Sequence, residues 1–263
     1  MSEKLRLGGM ALRNGLLVHG PTHWAAAVRG PDGKISVASG RKPRLGGPVD
    51  SVPGLRGVAK LAEAFVVIPL AKRGLPDAQL PMQDVRTVGA MTAAAVVGKA
   101  LRSGGRATLV RESATAAVSL LPAVLALRGG ELASYHGVEH KAIAAYERDE
   151  EVVDAAKEHD RCGSNLVAPM LASATAGNAA MRRFGKRGPL AEAAVALASM
   201  AFAVEVFGWS ERHADSALAK LLRRPGYEIQ RLFGTREPSE EQLAVGRAAL
   251  LEILRVEGAE NAQ

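Results

Sequence analysis

Four long stretches with almost no charged side chains follow Leu55, and they constrain the fold more than any other feature. They span residues 64–71, 113–127, 164–181 and 193–209, the last interrupted by Glu205. Their apolar residues recur with helical rather than strand periodicity, and alanine, the strongest helix former, is frequent in them. Aromatic residues make up only 4% of the chain, which disfavours an aromatic-rich β-sandwich. We therefore predict a mainly α fold.

The same stretches raise the question of a membrane. A helix that crosses a bilayer needs about 20 mostly apolar residues, and only 164–181 and 193–209 approach that length. Pro69, Pro122 and Pro169 fall inside three of the four stretches. A membrane helix tolerates such a break, whereas in a soluble protein each proline would mark the end of a short buried helix. We expect a membrane-associated helical bundle, and the soluble alternative stays open.

The N-terminal part has a different pattern. Residues 24–29 and 34–38 flank Gly30-Pro31-Asp32-Gly33, where proline presets the turn and glycine accepts a positive φ. This pattern predicts a β-hairpin, to which residues 8–10 and 15–18 can add a strand. Residues 39–53 are rich in glycine, proline and arginine, as is typical of a linker.

The C-terminus carries the signature of a capped helix. Ser239-Glu240-Glu241-Gln242 is a capping box, and Leu243, Leu250, Leu251 and Leu254 line one side of the helix that follows. We expect this helix to pack on the body of the protein. The predicted division is therefore a β-rich part with its linker (1–52), a helical, membrane-associated domain with the site (53–234) and a C-terminal amphipathic helix (235–263).

The candidate site lies between residues 135 and 163, which hold three of the six histidines and the only cysteine. His136 and His140 are four residues apart and share one face of a helix, so both imidazoles can reach one ion. Glu139 stands near that face. The order His136-x-x-Glu139-His140 is that of inverted zinc metallopeptidases, in which the glutamate activates water. His159 and Cys162 offer a second pair of donors.

Imidazole and thiolate both suit zinc, whereas neither suits magnesium or calcium. In an open site, His136, His140 and either His159 or Cys162 bind the metal, and Glu139 is the general base for a water whose pKa falls to about 7. In a closed site, all four donors surround a structural zinc and no position remains for a substrate. The spacing alone leaves both geometries open.

Other interpretations of these residues also stay open. A third ligand from Glu205 or Glu211 would match the metallopeptidases. Cys162, with His159 and Arg161 nearby, is a candidate nucleophile if its thiolate is stabilised. Two histidines at helical spacing are also often surface or hydrogen-bonded residues without a metal.

The charge balance allows a further class of partner. The formal net charge is +7 and the pI is near 9.8, with basic clusters at 99–111 and 182–187. Such clusters attract the phosphates of nucleic acid or of anionic lipids, although a basic cluster is more often simply a solvated face. A soluble protein that binds RNA or ribosomes through Arg182, Arg183, Lys186 and Arg187 is therefore an alternative.

Several motifs together resemble one known family. They are Gly8-Gly9-Met10-Ala11 with 15–21, then 24–35, 53–57, 135–141, 159–164, and Pro225-Gly226-Tyr227 leading to 235–238. Over most of its length the chain resembles the YqhQ-like family of bacterial membrane proteins, whose function is unknown and whose members are described as predicted metal-dependent enzymes. The resemblance implies a cytoplasmic-membrane protein with a small β-rich N-terminal part, membrane helices and a metal site at the histidine motifs. It implies no substrate.

The side of the membrane follows from the number of crossings. Residues 128–163 carry five basic and nine acidic side chains, whereas 182–192 carry four basic and one acidic. If each flanking stretch crosses once, the positive-inside rule puts the site outside the cytoplasm. An even number of crossings before Tyr135 puts it inside, in the reducing compartment that suits a free Cys162. We expect the cytoplasmic side of the bacterial cytoplasmic membrane.

We therefore expect a zinc-dependent, membrane-associated enzyme, a hydrolase of unknown substrate. Its metal ligands come from His136, His140, His159 and Cys162, and Glu139 is its acid/base. The expected partners are membrane lipids and the substrate. The alternatives are a non-catalytic membrane or assembly protein with a structural zinc, and the RNA-binding or ribosome-binding protein described above.

Overall fold

The computed structural model describes residues 4–44, 47, 51–52, 54–103, 108–128, 130–185 and 188–261. Its N-terminal part is an antiparallel sheet of four strands in chain order, β1 Gly8–Leu12, β2 Gly15–His19, β3 His23–Arg29 and β4 Ile35–Arg41. The predicted hairpin is confirmed as β3 and β4, and Gly33 in its turn has a φ of 79°. The first three residues of the predicted linker 39–53 belong to β4, and residues 45–46, 48–50 and 53 lie outside the described part.

Helices form most of the remaining chain, which confirms the mainly α fold. They are α1 Leu55–Gly74, α2 Val85–Ser103, α3 Leu109–Ser119, α4 Leu121–Arg128, α5 Glu131–Arg148, α6 Val167–Arg183, α7 Pro189–Arg212, α8 Ala217–Ile229 and α9 Glu240–Asn261. Short 3₁₀ turns at Pro81–Gln83 and Gly163–Leu166 and a π-helical turn at Gln230–Gly234 join some of them.

The sheet has a buried core on each face because its side chains alternate between the two. One face packs against α5 and α9, and the residues in this core include Leu16, Val18, Ala25 and Ala27 with Val138, Val245 and Ile253. The other face packs against α1, and this core includes Leu17, Trp24, Ala26 and Val28 with Val67 and Ala71. The sheet therefore holds α1, α5 and α9 together.

The capping box predicted for α9 is present. The Ser239 N–H donates to Gln242 Oε1 at 3.0 Å, and the Gln242 N–H donates to Ser239 Oγ at 3.3 Å. Near the other end of α9, the buried Glu257 accepts hydrogen bonds from Thr22, in the turn between β2 and β3, and from the N–H of His23, the first residue of β3. As expected, α9 packs on the body of the protein.

Four of the apolar helices, α2, α3, α4 and α7, leave large apolar side chains exposed. Among these side chains are Val85, Val96, Val110, Leu190 and Leu197, each at least 63% exposed. The buried positions of α2, α3 and α7 are instead mostly small or polar, and include Gly98, Glu112, Thr115, Ser199 and Ala203. A helix on the surface of a soluble domain usually turns its apolar side to the core, so these helices leave an apolar surface uncovered.

Among the described residues, two helical runs are long and apolar enough to cross a membrane, Leu109–Arg128, which covers α3 and α4, and Pro189–Arg212, which is α7. Only 11% and 17% of the residues in their most apolar stretches are buried. The second contains the predicted stretch 193–209. The first was predicted to be too short, but the helix extends past 113–127, and Pro122 is tolerated in the first turn of α4. The predicted stretch 164–181 forms the 17-residue α6, which is not among the candidates.

A cluster of opposite charges lies at one end of this bundle. Glu112 is 1% exposed and contacts Arg102 Nε at 3.2 Å and Arg182 Nε at 3.1 Å. Glu192 lies 3.6 Å from Arg102 and 3.9 Å from Arg182. Two of the arginines in the predicted basic clusters therefore pair inside the protein, while residues 104–107, 186 and 187 of those clusters lie outside the described part.

Candidate metal centre

The helix α5 and the turn before α6 bring three possible metal ligands together. His136 and His140 stand one turn apart on α5, and their ring centroids are 4.3 Å apart. Cys162 immediately precedes the 3₁₀ turn, and its Sγ lies 3.4 Å from His136 Nε2. One ligand atom from each of the three residues lies within 4.8 Å of the other two. This spacing is close enough for one ion to contact all three.

Backbone carbonyls fix the orientation of both imidazoles. His136 Nδ1 donates to the Gly234 carbonyl at 2.8 Å, and His140 Nδ1 donates to the Lys157 carbonyl at 2.7 Å. A carbonyl only accepts, so in each ring the proton sits on Nδ1 and the lone pair on Nε2. Histidines that bind metals are held in this way, with the other ring nitrogen donating to a carbonyl or carboxylate.

His140 Nε2 supports a bound metal most directly. His140 is 2% exposed, and its Nε2 has no hydrogen-bond partner among the residues that the structure describes. Leaving such an atom unpaired costs about 1–3 kcal/mol, and buried polar atoms are therefore nearly always satisfied. An ion bound between the three residues would satisfy it, and two imidazoles with one thiolate are a donor set that zinc accepts.

Burial also sets the charge states of the ligands. It lowers the pKa of His140 well below its usual value, an effect to which His136 adds, so this ring stays neutral as a ligand must. Burial raises the pKa of the Cys162 thiol to about 11, despite the Ser164 N–H that donates to its sulfur. A thiol with this pKa is a poor nucleophile, but a bound metal ion would deprotonate it. Metal binding suits Cys162 better than nucleophilic catalysis.

Glu139 is on the same helix as His136 and His140 and interacts electrostatically with His136 and Cys162. It is 8% exposed, and burial raises the pKa of its carboxyl group, an effect that His136 partly opposes. Its carboxyl packs on the backbone of Gly9 in β1, where an added Cβ would lie only 2.8 Å from Glu139 Oε1. A side chain at position 9 would therefore displace the carboxyl group. Glycine in the N-terminal sheet makes room for the candidate acid/base on α5.

The predicted ligand His159 lies outside the group of three. Its ring centroid is 5.8 Å from that of His140, but its Nδ1 accepts the Arg161 N–H at 3.2 Å and its Nε2 faces Glu147 Oε2 at 3.2 Å. With both nitrogens engaged, His159 has no lone pair directed at the other ligands. Burial lowers the pKa of its ring, and a neutral ring fits both contacts.

The two downstream glutamates are engaged elsewhere. Glu205 accepts the Gly54 N–H at 2.8 Å, at the start of α1. Glu211 contacts Arg6 and lies 3.9 Å from Arg161 Nε, while Arg161 also contacts Glu147. A charged chain of Arg6, Glu211, Arg161 and Glu147 therefore runs beside the centre and ends at His159.

Sequence comparison shows which proteins the region around this centre is similar to. Residues 130–256 match a family described as protein of unknown function (DUF1385). Over 304 aligned residues the chain is 26% identical to Uncharacterized protein YqhQ of Bacillus subtilis (strain 168), covering 95% of this chain and 92% of that protein. The resemblance to the YqhQ-like family is confirmed. No solved structure matches the chain.

The DUF1385 region also contains contacts that sequence reasoning missed. Gln230 is 1% exposed, and its side chain accepts the His159 N–H at 2.8 Å and donates to Ser164 Oγ at 2.9 Å. It thereby fixes both ends of the turn that carries Cys162. The acceptors for His136 and His140 are backbone carbonyls of Gly234 and Lys157, and any residue type supplies a carbonyl. No sequence pattern marks them.

Proposed function

We propose that this protein is a membrane-associated, zinc-dependent hydrolase whose metal ligands are His136, His140 and Cys162. The unpaired, buried Nε2 of His140, beside His136 Nε2 and the Cys162 thiol, carries the proposal. Three protein ligands with one further position available is the pattern of catalytic rather than structural zinc. A zinc ion bound there would supply Lewis-acid activation of a water molecule.

Glu139 is the general base in this proposal. Its carboxyl interacts electrostatically with His136 and Cys162, and it packs against Gly9 in an environment that raises its pKa. A carboxylate with a raised pKa is a stronger base, better matched to proton transfer near neutral pH. Glu139 would take the proton from the attacking water and return it to the leaving group. The substrate class stays open.

The membrane part of the proposal rests on the surface of the helical bundle. The outward apolar residues of α2, α3, α4 and α7 and the two candidate spans favour a bilayer over water. α4 runs into α5 through Gly130, and Cys162 lies shortly before α6. The site would therefore lie near the level at which the apolar helices leave the membrane, with the cytoplasmic side as our expectation.

The alternatives fit the same contacts less well. A closed structural zinc that includes His159 would require the coordinating ring nitrogen to give up its present partner, either Glu147 or the Arg161 N–H. Binding of RNA through the 182–187 cluster would have to use Arg182, which is 11% exposed at its side chain and pairs with Glu112. We therefore rank both below the metal-dependent enzyme.

Metal analysis of the purified chain tests the metal centre. We expect about one zinc per chain in the parent protein, and a loss of most of it in His136→Ala, His140→Ala and Cys162→Ala. Glu139→Gln is the matched control, because Gln keeps the shape of a residue that is not proposed as a ligand. A parent protein without stoichiometric metal, or equal metal in the His140→Ala variant, would contradict the proposal.

The hydrolase role needs a separate measurement. The zinc-loaded protein in detergent is incubated with a panel of peptide, ester and phosphodiester substrates, with the Glu139→Gln variant in parallel. Removal of a general base typically lowers a rate by 10²–10⁴-fold. We expect a loss of this order with the metal content unchanged. Equal rates for the two proteins, or no turnover of any substrate in the panel, would count against a catalytic Glu139.

A further inference from the structure

The helix α8 has three distinct faces. Successive residues of a helix are about 100° apart, which groups Ala219 with Gly226, Leu218 with Leu221 and Pro225, and Lys220 with Arg224 and Tyr227. The first group is buried, and the second and third are exposed. The helix therefore has one face in the protein, one exposed apolar face and one exposed face with two basic residues.

The exposed apolar face needs an explanation. Leu218 and Leu221 are 54% and 63% exposed, and Leu232 in the following π-helical turn is 65% exposed. A helix on a soluble surface turns its leucines to the core, whereas here the core side is formed by Ala219 and Gly226. A helix with leucines on one side and lysine or arginine on the next is the pattern of one that lies in the membrane interface.

The position of α8 in the chain agrees with this pattern. The candidate span α7 ends at Arg212, and α8 begins at Ala217, so the chain turns at the level where the span ends. The two helices also pack against each other. The exposed Lys220 and Arg224 are positively charged, and positive charge attracts anionic lipid headgroups.

The buried face of α8 holds the turn that carries Cys162. An added Cβ on Gly226 would lie 2.1 Å from Asn165 Oδ1, and Ser164 Oγ donates to the Gly226 carbonyl at 3.1 Å. Arg223 lies 3.8 Å from Asp160 on the other side of Cys162. The position of α8 therefore fixes the position of the turn before α6, which carries Cys162.

We propose that α8 is an interfacial helix that docks on an anionic bilayer surface through Leu218 and Leu221 and holds the metal centre at the level of the lipid headgroups. This inference rests on the proposed membrane association but not on the proposed metal. It implies that the site acts on molecules presented at the bilayer surface.

Photo-crosslinking of the full-length chain in nanodiscs tests the docking face. A benzophenone amino acid replaces Leu218 or Leu221 in one set and Tyr227, which lies on the opposite side of α8 from Leu218, in the control, with discs of equal parts phosphatidylcholine and phosphatidylglycerol. We expect adducts with the mass of one phospholipid from Leu218 and Leu221, and at most a tenth of that yield from Tyr227. All three positions are exposed, so a replacement there leaves the core unchanged.

A charge-reversed variant tests the role of the basic residues of α8. A crosslinker at Leu197 distinguishes failure of the interfacial helix from failure of the membrane association itself. Reversal of both basic residues, Lys220→Glu with Arg224→Glu, should lower the phosphatidylglycerol share of the Leu221 adducts at least twofold. Leu197 in α7 serves as the membrane control. Lipid adducts at Leu197 but not at Leu221, or a crosslink between two copies of the chain at Leu221, would overturn the interfacial helix alone. No adducts at Leu197 would overturn the membrane association as well.

Discussion

Substitution by leucine should change the stability of the metal-free protein much less at His140 than at His159. In the metal-free protein, His140→Leu loses the hydrogen bond to the Lys157 carbonyl, which is worth about 0.5–1.5 kcal/mol. It also removes the unpaired Nε2, whose burial costs about 1–3 kcal/mol. The two terms largely cancel. We expect a free energy of unfolding within about 1 kcal/mol of the parent.

His159→Leu is the matched control, since both of its ring nitrogens have partners. It loses the contact with the charged Glu147 and the hydrogen bond from the Arg161 N–H, together worth roughly 2–4 kcal/mol. For a chain of this size, 1 kcal/mol shifts the Tm by roughly 2–4 °C. We expect the metal-free His159→Leu variant to melt about 4–16 °C below the parent.

Zinc should narrow the difference in Tm between these two variants. At a free zinc concentration 100 times its Kd, binding stabilises a protein by about 2.7 kcal/mol, which raises the Tm by roughly 5–10 °C. The parent and His159→Leu should show this rise, and His140→Leu should not. Thermal unfolding in detergent, followed by circular dichroism after chelation and again with zinc, measures all three. A metal-free His140→Leu protein that loses more than about 3 kcal/mol, or that zinc stabilises like the parent, would refute the reasoning.

Two further predictions concern the sheet and α5. Burial lowers the pKa of His19 from 6.5 to about 4, so the unfolded chain takes up a proton in this window before the folded one does. Stability present above pH 6.5 should fall as the pH drops towards 4, and pH-dependent unfolding of His19→Gln should show a shallower decline. Gly137→Ala places a Cβ 2.3 Å from the Arg236 carbonyl oxygen and should cost about 1–3 kcal/mol in chemical denaturation. Gly163→Ala, which meets no described atom within 4 Å, should cost less than half as much; equal costs would contradict the steric argument.

The sequence predicted those secondary-structure elements that are determined by residues close together in the chain. The hairpin of β3 and β4 follows from its Pro and Gly turn, and the start of α9 follows from the Ser239 and Gln242 exchange. The pairing of His136 with His140 needs only the helical repeat. Cys162 approaches them across the chain, and its inclusion in the cluster was inferred from the rarity of cysteine and histidine rather than from any local rule.

The parts that the sequence did not reveal depend on long-range contacts. His159 was a reasonable ligand until Glu147, 12 residues away, was seen to face its Nε2. The space for Glu139 comes from Gly9, which lies on a strand far from Glu139 in the sequence. From the sequence alone, a glycine at this position could equally mark a turn. The length of the first candidate span was underestimated because only the charge-free stretch 113–127 was counted, whereas the helical run Leu109–Arg128 also includes the charged Arg111, Glu112 and Arg128.

The position of α9 against the sheet has a consequence for the order in which the protein is made. The strands are synthesised first and α9 last, yet Val245, Ala249 and Ile253 of α9 share a core with Leu16 and Val18 of β2. At about 5–20 residues per second, the intervening chain takes on the order of 10–40 s to synthesise. During that interval the face of the sheet that packs against α5 and α9 lacks α9, so part of its apolar surface stays exposed. The nascent N-terminus must therefore be kept from aggregating while the helices are synthesised, and this core is complete only after α9 has been made.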